Sequence, residues 1–171
     1  LIGSNAHEMT FFTNFTGFMG ATQEDYDGAL DFLGLSPAQK VEAQMHYNVD
    51  NYGSILKATE AIMGDAFFTC PALKFAAETS SAEYPTYVYR FDLNLGPALA
   101  HLGAAHAAEI PYVFGVGDNG LLGIPIEPDP EHTAQVQALW THFARHGEPP
   151  AELGPPIYDP AVPRILLMAR E

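Results

Sequence analysis

The stretch GSNAHEMTFF, residues 3–12, places a glutamate between an apolar segment and two phenylalanines. Residues 1–5, LIGSN, are typical of a buried strand that ends in a polar turn. In an α/β sheet, functional residues gather in the loops beyond the carboxyl ends of the strands. Glu8 occupies such a loop and is therefore a candidate acid, although a glutamate in a turn ordinarily does no more than face solvent.

A second stretch, GAAHAAEIPYVFG, residues 103–115, places His106 in a loop of small residues. The loop follows YPTYVYRFD, residues 84–92, whose β-branched and aromatic residues predict the clearest strand of the chain. A carboxylate on one strand-end loop and a histidine on a later one are two members of a catalytic triad. The carboxylate would bind Nδ1–H, and Nε2 would take a proton from a nucleophile. Taken alone, His106 is more typical of a structural or surface histidine than of a catalytic one.

A nucleophile to complete the triad is not evident. No serine lies in a G-x-S-x-G turn, and no H-G-G-G stretch offers an oxyanion hole. Nothing near Cys70 marks a thiolate of lowered pKa, so we expect a buried structural cysteine there. The five serines are Ser4, Ser36, Ser54, Ser80 and Ser81.

The remaining pattern predicts helices that alternate with buried strands, hence an α/β sheet. Residues 22–79 form a helical segment, in which Thr22 and Ser36 are N-caps and further helices cover 51–63 and 65–78. The strand and histidine loop cover about 84–115. A long helix with a core face of Val136, Leu139, Trp140 and Phe143 and a final strand cover about 131–169. We see no break in composition within residues 1–171 and expect one domain.

The composition limits the classes of function. The chain has 171 residues, 47% of them hydrophobic, and a formal net charge of −14. Such an acidic chain repels phosphate backbones, so nucleic-acid binding is not expected. No apolar run reaches the roughly 18 residues of a membrane span. No leader peptide is visible, and the sequence does not indicate a cellular compartment. The start at Leu1, inside a strand end, predicts a piece of a longer protein.

Metal and phosphate sites are weakly indicated. His142 and His146 lie four residues apart on one helix face, but no third ligand accompanies them, so we expect no metal site. The GVGDNG run at 115–120 lacks the lysine of a phosphate-binding loop and is interpreted as an irregular turn.

Five segments, taken together and in order, resemble type-B carboxylesterases, the cholinesterase and para-nitrobenzyl-esterase-like branch of the α/β-hydrolases. GSNAHEMTFF resembles the segment with the acid, which is a glutamate in that family. GAAHAAEIPYVFG resembles its histidine segment. The other three are GDAFFTCP, YVYRFD and LWTHFARHGEP.

The resemblance implies the C-terminal part of an α/β-hydrolase fold, with a partial sheet and a helical segment that walls a substrate gorge. Glu8 would be the triad acid and His106 the base, with Phe11 and Phe12 lining the gorge for a small ester. The serine and the oxyanion hole would belong to an N-terminal part of the same protein. No metal or organic cofactor is implied. The chain alone would be inactive and, with uncovered strand edges, prone to self-association.

The sequence departs from the family pattern at three places. Met9 stands where many members have glycine, and GPPI precedes Tyr158 where Trp-Pro is usual. Cys70 matches a position that is disulfide-bonded in the animal enzymes, but it has no partner here. A secreted animal cholinesterase is therefore not expected, and the Ala, Gly and Pro content favours a bacterial source. The alternatives are a non-catalytic adhesion or scaffold homologue and a self-sufficient small α/β domain.

Overall fold

The structure is a computed structural model that describes residues 1–16, 22–116, 126–154 and 156–169. Most of the turn-rich stretch after the histidine segment, including the part of GVGDNG beyond residue 116, lies outside the described residues.

Three parallel strands form the sheet, in the order β1 (Ile2–Asn5), β2 (Val88–Asp92), β3 (Leu166–Ala169). Asn5 pairs with Phe91, and Asp92 pairs with Ala169. The strands therefore end at the same edge. An isolated parallel bridge between His7 and Ala105 continues the pairing beyond β1. This edge is where an α/β sheet collects functional loops.

Helices fill the two crossovers between the parallel strands. The crossover from β1 to β2 is almost entirely helical, and the one from β2 to β3 contains the longest helix. A π-helical turn (Asp65–Thr69) and a 3₁₀ helix (Pro97–Leu102) accompany the α-helices. The α-helices are α1 (Thr10–Thr16), α2 (Gln23–Phe32), α3 (Pro37–His46), α4 (Val49–Tyr52), α5 (Ile55–Gly64), α6 (Cys70–Thr79), α7 (Glu109–Phe114) and α8 (Pro130–His146).

The two strongest cap signals act as the sequence predicts. Thr22 forms a capping box with Asp25 at the start of α2, and Ser36 forms one with Gln39 at the start of α3. Each box satisfies backbone donors that the first helical turn leaves unpaired. Gly147 ends α8 with φ +76°. A left-handed residue at this position is the usual end of a helix.

Other boundaries differ from the sequence prediction. Ser54, expected inside a helix, is the N-cap of α5 and accepts the Lys57 N–H. The predicted strand over 84–92 begins only at Val88. Pro85 cannot donate to a ladder. The next residue, Thr86, hydrogen-bonds outside the sheet, because its carbonyl accepts the N–H of Tyr158.

The predicted break between two helices at residue 64 is absent, because α5 continues through the π-helical turn into α6. The Cys70 N–H donates to the Asp65 carbonyl, five residues earlier. Pro71 follows directly, and its ring would clash with the carbonyl of Phe67 in a regular α-helix. The wider π turn accommodates the proline without ending the helix.

Two main hydrophobic clusters stabilise this part of the molecule. The sheet cluster packs Phe91 and Leu93 with Tyr112 and Val136, so it joins the end of β2 to α7 and α8. Trp140 packs edge-on against Tyr89, with ring centroids 4.9 Å apart. The helical cluster is built around Leu30 and contains Met9, Tyr26, Ala29, Ala43, Ala58, Ile62 and Met63. Among the described residues, no helix has the length and apolar character needed to cross a membrane.

Candidate active site

Glu8 and His106 meet at the carboxyl edge of the sheet. Glu8 follows β1 by three residues, and His106 lies in the loop between the 3₁₀ helix and α7. Oε2 of Glu8 is 2.8 Å from Nδ1 of His106. The glutamate is 6% exposed, whereas the imidazole side chain is 43% exposed. The pair therefore combines a buried carboxylate with an imidazole that solvent, or a ligand, can reach.

The contacts of Glu8 fix the proton of the imidazole. Oε1 accepts the backbone N–H of Asn5 at 2.7 Å, and Oε2 contacts His106. An ionised carboxylate can only accept hydrogen bonds, so Nδ1 must carry the proton and donate it to Oε2. Nε2 is then the nitrogen of neutral His106 that can accept a proton.

The side chain of Asn5 hydrogen-bonds two residues of the same site. Its Nδ2 donates to the carbonyl of Ala105 at 2.8 Å and to Oε2 of Glu109 at 2.6 Å. Both acceptors flank His106 in the sequence. The sequence pattern did not predict a role for Asn5 or Glu109. The signal available was weak: a polar residue at the last position of a buried strand, and a second glutamate three residues after the histidine.

Hydrogen bonds to the backbone hold the acid loop and the histidine loop together around the Glu8–His106 pair. The His7 N–H donates to the carbonyl of Ala104 at 3.0 Å. The Ala104 N–H donates to Nδ1 of His7 at 3.3 Å. The hydroxyl of Thr10 reaches the carbonyl of Leu102 at 2.7 Å. The two loops therefore form one junction, defined here as residues 5–10 with residues 102–109.

The backbone of the histidine loop has positive φ at two positions, one of which is a strained alanine. Ala107, directly after His106, has φ +66° and is the only non-glycine residue with positive φ among those described. Gly103 has φ +61°, and a Cβ there would lie 2.6 Å from Nδ1 of His7. Left-handed conformations of non-glycine residues cost free energy and concentrate at functional sites.

Aromatic rings cover the imidazole of His106. The ring centroid of Phe12 lies 5.4 Å away and that of Phe68 lies 5.0 Å away. Phe11, predicted to line the same pocket, meets Phe12 edge-on and packs against the sheet cluster. Phe68 was missed because its position depends on the π-helical turn, which the sequence pattern did not predict.

Tyr89 adds a neutral phenol to the charged surroundings. Burial, together with the nearby carboxylates of Glu109 and Glu8, raises the pKa of Tyr89 to about 12. The phenol therefore stays protonated at any pH near neutrality.

The other candidate nucleophiles have different surroundings. Cys70 is exposed, which corrects the expectation of a buried cysteine. Partial desolvation of its thiol, with Asp65 nearby, raises the thiol pKa, the opposite of a reactive thiolate. The five serines all hydrogen-bond in caps, turns or links between elements: Ser4 with Thr69, Ser36 with Gln39, Ser54 with Lys57, Ser80 with Tyr158 and Ser81 with Tyr84.

No metal centre is visible in the described part of the chain, where no three His, Cys, Asp or Glu side chains converge. His142 and His146 do lie side by side, with ring centroids 4.3 Å apart. Nδ1 of His142 is 2.9 Å from the carbonyl of Glu148.

The sequence of this chain matches a known protein family. The family model described as the carboxylesterase family matches residues 1–165. The chain belongs to the carboxylesterase family. It is 32% identical over 139 residues to the para-nitrobenzyl esterase of Bacillus subtilis (strain 168), covering 77% of this chain and 26% of that protein. It is 27% identical over 158 residues to the acetylcholinesterase of Gallus gallus, covering 83% of this chain and 19% of that protein.

A solved structure of PNB esterase superposes with a TM-score of 0.65 and 27% identity, over 97% of this chain and 33% of that chain. The expected fold class, part of an α/β-hydrolase, is therefore confirmed. This carboxylesterase-family chain spans 19–33% of the length of these relatives. The family supports ester hydrolysis in general.

Proposed function

We propose that this chain supplies the acid and the base of a Ser-His-Glu triad that hydrolyses carboxylic esters. The observation that carries the proposal is the 2.8 Å contact between buried Glu8 and half-exposed His106. Glu8 orients the imidazole and stabilises its cation, and Nε2 exchanges the proton. Family membership supports the reaction class.

The nucleophile is proposed to come from an upstream part of the same protein. A serine there attacks the ester carbonyl while His106 takes its proton, and His106 then protonates the leaving alcohol. Water, activated in the same way, releases the acid from the acyl-enzyme. The five serines of the chain support this assignment, because each already serves a cap, a turn or a link between elements.

The substrate pocket is proposed to be apolar beside the imidazole. Phe12 and Phe68 contact His106 directly, and Phe11 supports Phe12. Aromatic walls favour esters with apolar acyl or alcohol groups. Small-molecule carboxylic esters are therefore the proposed substrate class, and no cofactor enters the reaction.

The chain by itself is proposed to be inactive and to associate with the upstream part or with itself. Loss of oxyanion-hole donors alone costs about 10²–10³ in rate. Phe32 and Phe67 pack against each other, and the two rings are 67% and 46% exposed. An exposed apolar pair of this kind supports association with another surface. Turnover of a p-nitrophenyl ester by the chain, abolished by His106→Ala, would contradict the first expectation. A compact monomer in sedimentation at high concentration would contradict the second.

The test is fluorophosphonate labelling of the protein expressed from its native start codon, read by intact mass and peptide mapping. The expected adduct lies on a serine upstream of Leu1 and is lost in Glu8→Gln and His106→Ala. The matched control is His132→Ala. His132 also pairs its Nδ1 with a carboxylate oxygen, that of Asp129 at 2.9 Å, but at the start of α8. This control should keep the label.

Absence of labelling in a well-folded protein would instead support a non-catalytic adhesion or scaffold homologue. In that case the Glu8–His106 contact would serve the structure alone. A native start codon directly before Leu1, with a stable chain, would support a self-sufficient small domain.

A further inference from the structure

One buried side chain connects both halves of the junction without touching the imidazole. Asn5 is 5% exposed and is the last residue of β1. Its backbone N–H donates to Oε1 of Glu8 at 2.7 Å. Its side-chain Nδ2 donates to the carbonyl of Ala105 at 2.8 Å and to Oε2 of Glu109 at 2.6 Å. One residue therefore hydrogen-bonds the acid and both sequence flanks of the histidine.

The two acceptors of the Asn5 Nδ2 lie on either side of His106 in the sequence. Ala105 directly precedes His106, and Glu109 begins α7 three residues after it. The intervening Ala107 is held at φ +66°, a conformation that a free loop would relax. The two bonds from Asn5 restrain the loop on either side of this strained residue. They therefore resist the relaxation that would turn the imidazole away from Glu8.

The charge distribution favours an amide at this position. Glu8 and Glu109 are two carboxylates that converge on one residue, and Asn5 offers donors to both. A hydrogen bond to an ionised acceptor is about twice as strong as one between neutral groups. A carboxylate in place of the amide would present oxygen to oxygen against Glu109.

We infer that Asn5, together with Glu109, is a positioning pair that sets the orientation of His106 relative to Glu8. The inference rests on the proposed function for its catalytic consequence, but its structural readout does not require activity. Asn5 touches neither the imidazole nor the proposed reacting atoms. Its effect passes through the backbone of the histidine loop.

The first readout is the tautomer of His106, measured by the ¹⁵N shifts of its imidazole in the protein expressed from its native start codon. Asn5→Asp keeps the shape and the backbone N–H but removes both Nδ2 donors. We expect it to lower the population of the Nδ1–H form that Glu8 selects. Asn48→Ala is the matched control. The side-chain Nδ2 of Asn48 likewise donates to two acceptors, the carbonyls of Gln44 and Met45, but Asn48 caps α4, and the tautomer should not change.

The second readout changes Glu109, the half-buried member of the pair, so that the test does not depend on whether Asn5 variants fold. Glu109→Gln keeps an oxygen that accepts from Nδ2, whereas Glu109→Ala removes it. We expect native tautomer populations in the first and an altered population in the second. Unchanged tautomers in both Glu109→Ala and Asn5→Asp would overturn the inference.

The third readout is kinetic and uses the protein expressed from its native start codon. A misplaced imidazole lowers transition-state stabilisation, so Asn5→Asp and Glu109→Ala should lower kcat about 10- to 100-fold. KM should stay within about threefold, because neither side chain belongs to the proposed pocket. Glu109→Gln should restore most of kcat.

The readouts separate failure of this inference from failure of the proposed function. Altered tautomers in a protein that hydrolyses no ester would uphold the positioning pair and refute the esterase proposal. Full activity with native tautomers in both Asn5→Asp and Glu109→Ala would refute the positioning pair and leave the esterase proposal intact.

Discussion

The helical layer and the junction around His106 are stabilised by different kinds of interaction. The helical layer, defined here as residues 22–79, is capped by bonds that span three residues, such as those of Thr22 and Ser36. The junction is closed by bonds between residues about 100 positions apart, such as Glu8 with His106 and Asn5 with Ala105. Local bonds determine where helices begin, whereas the long-range bonds determine where functional groups meet.

The largest effect should come from Gly103→Ala in the junction. The residue has φ +61°, and the added Cβ would lie 2.6 Å from Nδ1 of His7, so both the backbone and the neighbouring ring must shift. We expect a loss of about 2–4 kcal/mol in the free energy of unfolding, measured by urea denaturation.

Gly53→Ala is the counterpart in the helical layer. Gly53 ends α4 with φ +80°, but a Cβ there would meet nothing within 4 Å. Its expected cost is about 1 kcal/mol, from the backbone conformation alone. Equal losses at the two glycines would mean that contact with His7 does not constrain the junction.

The same difference explains what the sequence could predict. Ser36, Pro37 and Gln39 specify a helix start within four residues, so the pattern alone located it. Glu8 and His106 were singled out as candidates by resemblance and by their positions after strands, and the two side chains do meet. Asn5 and Phe68 could not be found this way. The partners of Asn5 lie about 100 residues away, and Phe68 faces the imidazole only because Pro71 is preceded by a π turn.

A moderate effect is expected from Thr10→Val, which preserves shape and removes one hydroxyl. Thr10 is buried, and its Oγ1 lies 2.7 Å from the carbonyl of Leu102 and 2.8 Å from that of His7. The substitution leaves a buried carbonyl without its donor, which costs about 1–3 kcal/mol. Thermal unfolding monitored by circular dichroism would measure it.

Ser36→Ala supplies the local comparison. It removes an exposed cap of α3, with an expected cost of about 1 kcal/mol. The His106 tautomer, measured in both variants, distinguishes Thr10→Val from Ser36→Ala. Thr10→Val should perturb the histidine loop, whereas Ser36→Ala should not. A perturbation by Ser36→Ala would show that the helical layer and the junction are coupled.

A smaller effect, of opposite sign, is expected from Ala107→Gly. Glycine adopts φ +66° without steric cost, although it loses more entropy on folding than alanine does. The net expectation is a gain of about 1 kcal/mol in stability. Ala134→Gly, on the exposed face of α8, should instead lose about 1 kcal/mol. If Ala107→Gly also loses stability, the entropy that glycine loses on folding outweighs the steric strain that it relieves at φ +66°.

The smallest effect is expected from Gly28→Ala in the interior of α2. A Cβ at this position would meet nothing within 4 Å, and the backbone is helical. Alanine in a helix is better than glycine by about 0.5–1 kcal/mol, and that gain should appear in the denaturation midpoint.

Gly64→Ala makes the same change where the helical layer touches the junction. Gly64 ends α5, and an added Cβ would lie 3.8 Å from Cγ of Met9 and 3.9 Å from Cβ of Glu8. These are ordinary van der Waals distances, so we expect a gain close to that of Gly28→Ala. A loss would mean that the packing around Met9 and Glu8 does not tolerate even an added van der Waals contact at this position. The rigidity of the junction would then extend into the helical layer, and the two regions would not be independent.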